Sequence, residues 1–554
     1  MLRRLLLLAL VVGVVVWFGE RRSKRPSRIA AAAEEGFLLV GNGAEPATLD
    51  LHVATGVPEN VIISALFEGL VAYHPSDDYE NPPGVAESWE TEDFIKWTFH
   101  LRPDARWSNG DPLTAADFVF SYRRMLTPEL GGEYAMILHV MEGAEQFNKG
   151  ETDDFSTVGV KAIDAHTLEI QLVGPTPYFP SLLKHYTWFP VHRGCIEAAG
   201  EITDQKSRWT RPGKLVGNGP FTLKTWRFDA MIEVVKSDTY WDKESVSLNG
   251  IRFFPIASDT TEERAFRDGQ LHVTNTLPID RIAYYREEAP EYYWTGAQLT
   301  TYFYRVNTKA NPALADVRVR QALALTIDRQ SIVESVTKGG QRPAHGLVPP
   351  SEGGPYTTPD LLRFDPDAGR AKLAEAGFPD GEGFPRLTIL FNTHESHKLI
   401  AQAVQAMWKK HLGIEVELLN QDWQVYLDSC GKGNFEIARA AWNGDYMDPS
   451  TFLHMWMKDD GNNQTGWSSP EYDGLLRKAG NTKDPSERYG LLQQAETIFL
   501  NEVPAIPIYW YATNRVVSTD VEGWHHKLLD NHPYKALRFR SVEAATPNPE
   551  DDKQ

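Results

Sequence analysis

Phe435 to Phe452, FEIARAAWNGDYMDPSTF, passes from apolar strand to polar loop to helix start within eighteen residues, with a carboxylate at the crossing. Phe435, Ile437, Ala438 and Ala440 to Trp442 read as a mostly buried strand, which the turn pair Asn443-Gly444 ends. Asp445 therefore hangs off a strand end. Asp448-Pro449 then supplies a helix N-cap followed by proline at the first helical position, which fixes the far side of the loop. A carboxylate held between two rigid elements is a partner for a cation through a charge-assisted hydrogen bond. The competing reading is that Asp445 only caps its own turn.

Other reactive types give weaker patterns. His394 and His397 have the spacing of a metal pair at a helix start, but no two further ligands at sensible spacing accompany them. Cys430 has no paired base in the sequence and reads as a plain small residue. The sixteen tryptophans could stack sugars, although scattered Trp more often fills cores. HExxH, GxSxG, GxxxxGK(S/T) and GxGxxG are all absent, so the usual zincin, hydrolase, P-loop and dinucleotide marks are missing. The paired carboxylates of a glycosidase leave no short signature. A secreted hydrolase, or a binder of some other small solute, therefore stays open beside a peptide binder; no cofactor or metal is implied.

The elements around the stretch set the wider class. At 554 residues the length suggests roughly three to four domains, and 42% hydrophobic content supplies ample core. A net charge of −19 argues against nucleic acid as a partner. Two cysteines, Cys195 and Cys430, exclude a disulfide framework and a multi-cysteine metal site; whether they bond depends on the fold. Arg3 and Arg4 precede the apolar run Leu5 to Phe18, which has the length of a signal-peptide core and is short for a membrane span. Five positives follow it, and the only small-residue cleavage pattern is at Ala31 to Ala33, so export with either release or an uncleaved amino-terminal anchor is expected. Ala544 to Gln554 reads as a solvated tail.

Between the ends, strand signals at Phe37–Val40, Trp97–Leu101, His166–Leu172, Ile251–Phe254, Leu271–Val273 and Tyr302–Val306 alternate with helix signals. The helix signals start at Gly56-Val57-Pro58-Glu59, at Thr114 with Asp117 three positions on, and at Asp316 for a helix reaching about Val336. The last third repeats the pattern with strand Leu387–Phe391, helix His397–His411, strand Ile414–Leu419, helix Trp423–Asp428, and finally strand Pro504–Tyr511. This is an α/β chain crossing more than once between lobes, which makes a hinged cleft.

Four segments carry a family resemblance: WTFHLRPDARWSNGDPLTAADFVFSYRR from 97, NGPFTLKTW from 218, DVRVRQALALTIDRQSIV from 316 and ARAAWNGDYMDPSTFL from 438. In this order they resemble the oligopeptide-binding proteins of peptide ABC transporters, over about Phe37 to Val542. The resemblance implies a type II periplasmic-binding-protein-like fold with three lobes and a hinged cleft. Lobe I takes 37–67, 190–299 and 512–543, lobe II 68–189 and lobe III 300–511, with 1–36 as signal or anchor and 544–554 as tail. It further implies a monomer that closes over an extended oligopeptide and delivers it to a membrane permease. The peptide adds as a strand, so main-chain bonds give affinity while hydrated pockets tolerate many side chains.

Carried over position by position, the ligand's α-ammonium falls to Asp445 and the strand-pairing backbone to Ala441, Asn443 and Val57. Pocket walls fall on Tyr134, Tyr302, Tyr304, Trp423, Trp442 and Tyr511, and a histidine for the ligand's carboxyl end on His397. The strand arginine of relatives is kept as Arg439, for which a charge on the strand's wet face is an equal reading. The chain departs from the family at Thr55, where relatives carry an acid, and at Cys430, where they carry a further arginine. It also departs at Thr300 and Asn443, where relatives often carry a bonded cysteine pair.

Overall fold

The computed structural model describes residues 27–350, 356–458 and 460–540; the apolar run and the tail fall outside them. The chain enters through β1 (Phe37–Gly41), and β2 (Ala86–Glu90), β3 (Lys96–Leu101), β4 (Val160–Ala162) and β5 (Thr167–Gln171) follow. These last four make an antiparallel sheet in the order β2-β3-β5-β4. Next come β6 (Phe221–Arg227), β7 (Met231–Lys236) and β8 (Gly250–Phe254), with β8 pairing parallel to β1 in the order β1-β8-β7-β6. The third sheet holds β9 (Tyr293–Val306), β10 (Arg342–Pro343), β11 (Leu387–Asn392), β12 (Val416–Gln421), β13 (Ile437–Asn443) and β14 (Ala505–Val516), in the order β10-β14-β9-β13-β11-β12. Thr114 and Asp117 form the expected capping box on helix Ala115–Leu126.

One core joins the first two sheets, and a second fills the third sheet and its helices. The two are linked by β9 and β14, which pair antiparallel from Arg305↔Ala505 to Tyr293↔Val516. At one end these strands lie in the second core; at the other, Tyr293 and Val516 join a small cluster with Leu277, Ile282 and Tyr285. The ladder shifts register between Pro507 and Tyr509 and again between Trp510 and Ala512, where a strand bends most readily.

Several elements differ from the sequence reading. The helix after Asp316 ends at Leu325, because Trp408 Nε1 bonds the Leu323 carbonyl and Asp328 starts a new turn by accepting from Ser331 N–H. Leu271–Val273 forms only single bridges, from Val273 to Val40 and Val517. Both crossing strands are longer than the apolar runs that signalled them, since β9 begins at Tyr293 and β14 continues to Val516. The helix after Asp448-Pro449 begins at Ser450, one residue late, although Asp448 still accepts from Ser450 N–H at 3.0 Å. Cys195 and Cys430 are both free thiols.

The alanine-rich stretch before Phe37, which shows no core pattern in the sequence, is also structured. Arg28–Glu34 is a helix capped by Ser27, and it contains the Ala31 to Ala33 pattern. Ala32 packs with Leu39, Met231, Phe254 and Leu271, and the Arg28 guanidinium lies 4.5 Å over the Phe254 ring. A chain beginning at Phe37 should therefore unfold at a temperature lower by a few degrees, for a loss of about 1–3 kcal/mol. Calorimetry of chains beginning at Ser27 and at Phe37 checks this, and equal midpoints would show that the helix contributes no packing.

Candidate functional site

β13 pairs with β9 along its whole length, Ile437–Asn443, but with β11 only at Ile437 and Ala438. From Arg439 onward one edge of the strand has no β neighbour. On that edge the Arg439 carbonyl accepts a hydrogen bond from the Tyr426 hydroxyl. Backbone N–H and C=O groups alternate in direction along a strand, so Ala441 and Asn443 turn theirs to the same side. An extended chain laid there would find a ready ladder. At the strand's end Thr300 Oγ1 donates to Asn443 Oδ1 at 2.7 Å across the β9–β13 pair, so a hydrogen bond ties the two positions where relatives place the cysteine pair.

Asp445 lies two residues past this edge. Its N–H donates to Thr451 Oγ1 at 3.0 Å, and its Oδ2 accepts from the same hydroxyl at 3.2 Å. Among the described residues its side chain accepts no backbone N–H; Asp448 serves the following helix instead, and a bidentate bond from Arg488 at 2.7 Å holds it. Capping its own turn is therefore not what Asp445 does. Burial pushes its carboxyl up to about 7, with the Thr451 bond opposing. The nearest basic group is His185, with Nε2 3.7 Å from Oδ1, but burial lowers that imidazole to about 3 and leaves it neutral. No described cation balances this carboxylate.

The surroundings of Asp445 come from the other core. His185 packs against Tyr134 at 5.1 Å and Tyr186 at 4.2 Å between ring centroids. The Tyr186 hydroxyl donates to the Ala54 carbonyl at 2.9 Å, close to helix Val57–Leu66. Val57 is half exposed, and its N–H is one of the donors that a helix start leaves unpaired. Burial, and after it the Asp445 charge, raises the pKa of Tyr134. Tyr446 and Tyr178 stack face to face at 5.5 Å, joining the loop after β13 to the first core.

At the start of the open edge, Arg439 is half-buried and partnered and is not a free surface charge. It donates to Tyr511 Oη at 2.9 Å and Asn392 Oδ1 at 3.3 Å, and lies 4.9 Å over Tyr302. Burial opposes its charge, but the hydroxyls of Tyr511, Tyr302, Tyr426 and Tyr509 outweigh it and hold the guanidinium pKa above its ordinary value. His397 lies beside Tyr302 at 5.6 Å and His394 at 4.9 Å, and burial, reinforced by Arg439, keeps it neutral, a hydrogen-bond donor and not a cation. His394 sits 3.4 Å from Asp259, and no third ligand makes a metal site among the described residues. Tyr302 and Tyr304 are wholly enclosed, with Tyr302 stacked on Tyr509 at 4.8 Å. Trp442 lies on the opposite strand face from Arg439. Trp423 opens helix Trp423–Gly431, and its side chain is outside the described residues.

The structure thus gathers Asp445 with Tyr134 at one end of the edge, and Arg439, Tyr302, Tyr304, His397 and Tyr511 at the other. Sequence reasoning missed His185, Tyr186 and Tyr178, which lie more than two hundred residues from Asp445. The signal available was the aromatic density of YFPSLLKHYTWFP from 178.

Residues 81–464 match the family model of bacterial extracellular solute-binding proteins, family 5. The periplasmic oligopeptide-binding protein OppA of Escherichia coli (strain K12) is 38% identical over 509 residues, covering 90% of this chain and 92% of that one. The structure of Haemophilus influenzae OppA in complex with RPPGFSPFR superposes with TM-score 0.83 at 32% identity, covering 92% and 99% of the two chains. The Escherichia coli murein tripeptide binding protein MppA gives 0.83, with 34% identity and 91% and 98% coverage. Its unliganded open form gives only 0.68, with 35% identity and 92% and 98% coverage, so the arrangement seen here departs from an open one. Sequence and shape agree over nine-tenths of the molecule, and this chain belongs to the family 5 bacterial extracellular solute-binding proteins.

Proposed function

We propose that the protein binds oligopeptides outside the cytoplasm and delivers them to the membrane permease of an ABC transporter. The observation that carries the reading is the open edge Arg439–Asn443 ending at Asp445, a buried carboxylate without a cation. A peptide laid antiparallel on that edge brings its backbone to Ala441 and Asn443 and its α-ammonium to Asp445. Val57 supplies a facing N–H, and Tyr134 and Trp442 are pocket walls with Trp423. His397 and Arg439 stand where the carboxyl end of a short peptide arrives, beside Tyr302, Tyr304 and Tyr511.

The three-lobe division rests on the family resemblance, with β9 and β14 as the crossing strands and their register shifts as the bending points. The molecule works as a monomer, reached by export. Whether its amino end is cleaved or anchors it is decided by the mass of the exported protein. The matched relatives are named as binding proteins, and on that reading peptide is released unchanged.

Asp445→Ala should weaken free-amine peptides by roughly a hundredfold to several thousandfold, since breaking one side of a buried pair costs about 3–5 kcal/mol. N-acetylated peptides should bind the parent poorly and respond far less to the substitution. Calorimetry on this two-by-two set decides it, and equal losses for both peptides would leave Asp445 a loop former only.

The raised carboxyl also sets a pH dependence. With the cores together and no ligand, the acid is protonated below about 7 and must release its proton to meet an ammonium, so where the free protein holds that arrangement the Kd of free-amine peptides should rise by up to roughly tenfold per pH unit as pH falls below about 7. The rise ends where the bound carboxyl itself takes up a proton. Titrations between about pH 5 and pH 8 in buffers of different ionisation enthalpy read both the slope and the proton released. A flat profile would mean that the carboxylate is already ionised in the free protein.

A further inference from the structure

A buried cation, Arg305, lies at the same end of the cleft as Arg439. Arg305, on β9, is 9% exposed; among the described residues its only side-chain hydrogen bond runs from Nη1 to Gln464 Oε1 at 2.9 Å, and its Nε has no partner. It makes no ion pair among the described residues. A guanidinium withdrawn from water without a counter-anion is unfavourable unless something else supplies one.

Its placement points to the ligand. Arg305 pairs with Ala438 and Phe303 with Ala440 across β9 and β13, so Arg305 projects over a strip whose β13 side chains are methyl groups. Past Phe303, 5.8 Å from its guanidinium, Arg305 comes within electrostatic reach of the helix whose Tyr426 meets the open edge. There it feels the Tyr426 hydroxyl and the Cys430 thiol, both on helix Trp423–Gly431, and the Arg439 charge. Tyr426 in turn bonds the Arg439 carbonyl, the first acceptor of that edge. Trp442 stands further along the same face as Ala438 and Ala440, by strand alternation. Burial and the Arg439 charge lower the Arg305 pKa from its ordinary value, the sign expected of a cation lacking its anion.

Resting on the peptide-binding reading, we propose that Arg305 makes one side-chain pocket of the cleft selective for acidic peptides, pairing with an Asp or Glu side chain that an edge-bound peptide turns to the Trp442 face. Successive side chains of a strand point to opposite faces, so one position in the peptide meets Arg305 and its neighbours meet Arg439 and the tyrosines instead. The neighbouring Cys430 offers no charge, so the pocket has a single sign.

The test uses calorimetry with short alanine peptides carrying Glu, Gln or Lys at one position in turn, with free or amidated carboxyl ends. The full chain is compared with Arg305→Gln and Arg305→Glu. At one position Glu should bind the parent about tenfold to a hundredfold more tightly than Gln, and Lys more weakly still. Arg305→Gln should erase this preference while leaving all-alanine peptides within a few fold, and Arg305→Glu should pass the preference to Lys. Equal affinity for Glu and Gln at every position, or a preference that survives in Arg305→Gln, overturns the proposal. A preference for free over amidated carboxyl ends that is lost in Arg305→Gln, with none for Glu, assigns Arg305 to the terminal carboxylate and overturns the side-chain pocket. Failure of all peptides, all-alanine included, overturns the peptide-binding reading itself.

Discussion

A carboxylate largely withdrawn from water needs a cation or a proton, and at Asp445 the described residues supply no cation. The loop after β13 places it against His185, Tyr134 and Tyr186, which come from the opposite core, so its desolvation exists only while the two cores meet. Separate the cores and the acid is hydrated; bring them together without a partner and it protonates near neutrality. An ammonium placed in that pocket relieves the penalty and makes closure favourable. Ligand binding and closure are thus one equilibrium, because the same burial acts on both.

The same economy of partners appears in the backbone. A sheet edge without a neighbouring strand leaves donors and acceptors to be met from outside the sheet, and β13 carries such an edge where β11 stops, with the Arg439 carbonyl taken by Tyr426 and Ala441 and Asn443 beyond it. The helix start at Val57 leaves a further N–H. These groups are satisfied by any extended peptide whatever its sequence, so affinity drawn from them is indifferent to side chains. On the proposed reading discrimination then falls to charges set beside the edge, where Arg439 and Arg305 make no ion pair among the described residues.

Much of this was legible in the sequence where it depends on local chemistry. The strand, turn and acid of Ile437 to Asp445, the capping box at Thr114 and the proline-initiated helix at Val57 are encoded within a few residues, and the structure shows each. The crossing strands were shorter on paper because their outer halves, Tyr293 to Thr301 and Ala512 to Val516, alternate with polar residues and pair mainly with each other. The helix from Asp316 was too long because its end is imposed by Trp408, more than eighty residues away. His185 and Tyr186 went unseen as site residues for a similar reason: proximity to Asp445 is a property of closure, and no local pattern records it.

The two crossing strands connect these points. β9 carries Arg305 and the tyrosines on alternate faces, pairs with β13 at the peptide edge and with β14 along its length, and runs out into the cluster around Tyr285. On the proposed reading, bending at the shifts near Tyr509 and Ala512 would move the Asp445 loop toward or away from His185 while leaving the β9–β13 ladder unbroken. On that reading the ladder that meets a peptide's backbone stays intact, and the contact that desolvates its ammonium is the one that moves. A ligand lacking the ammonium can still occupy the edge, but it gives the hinge no electrostatic reason to close.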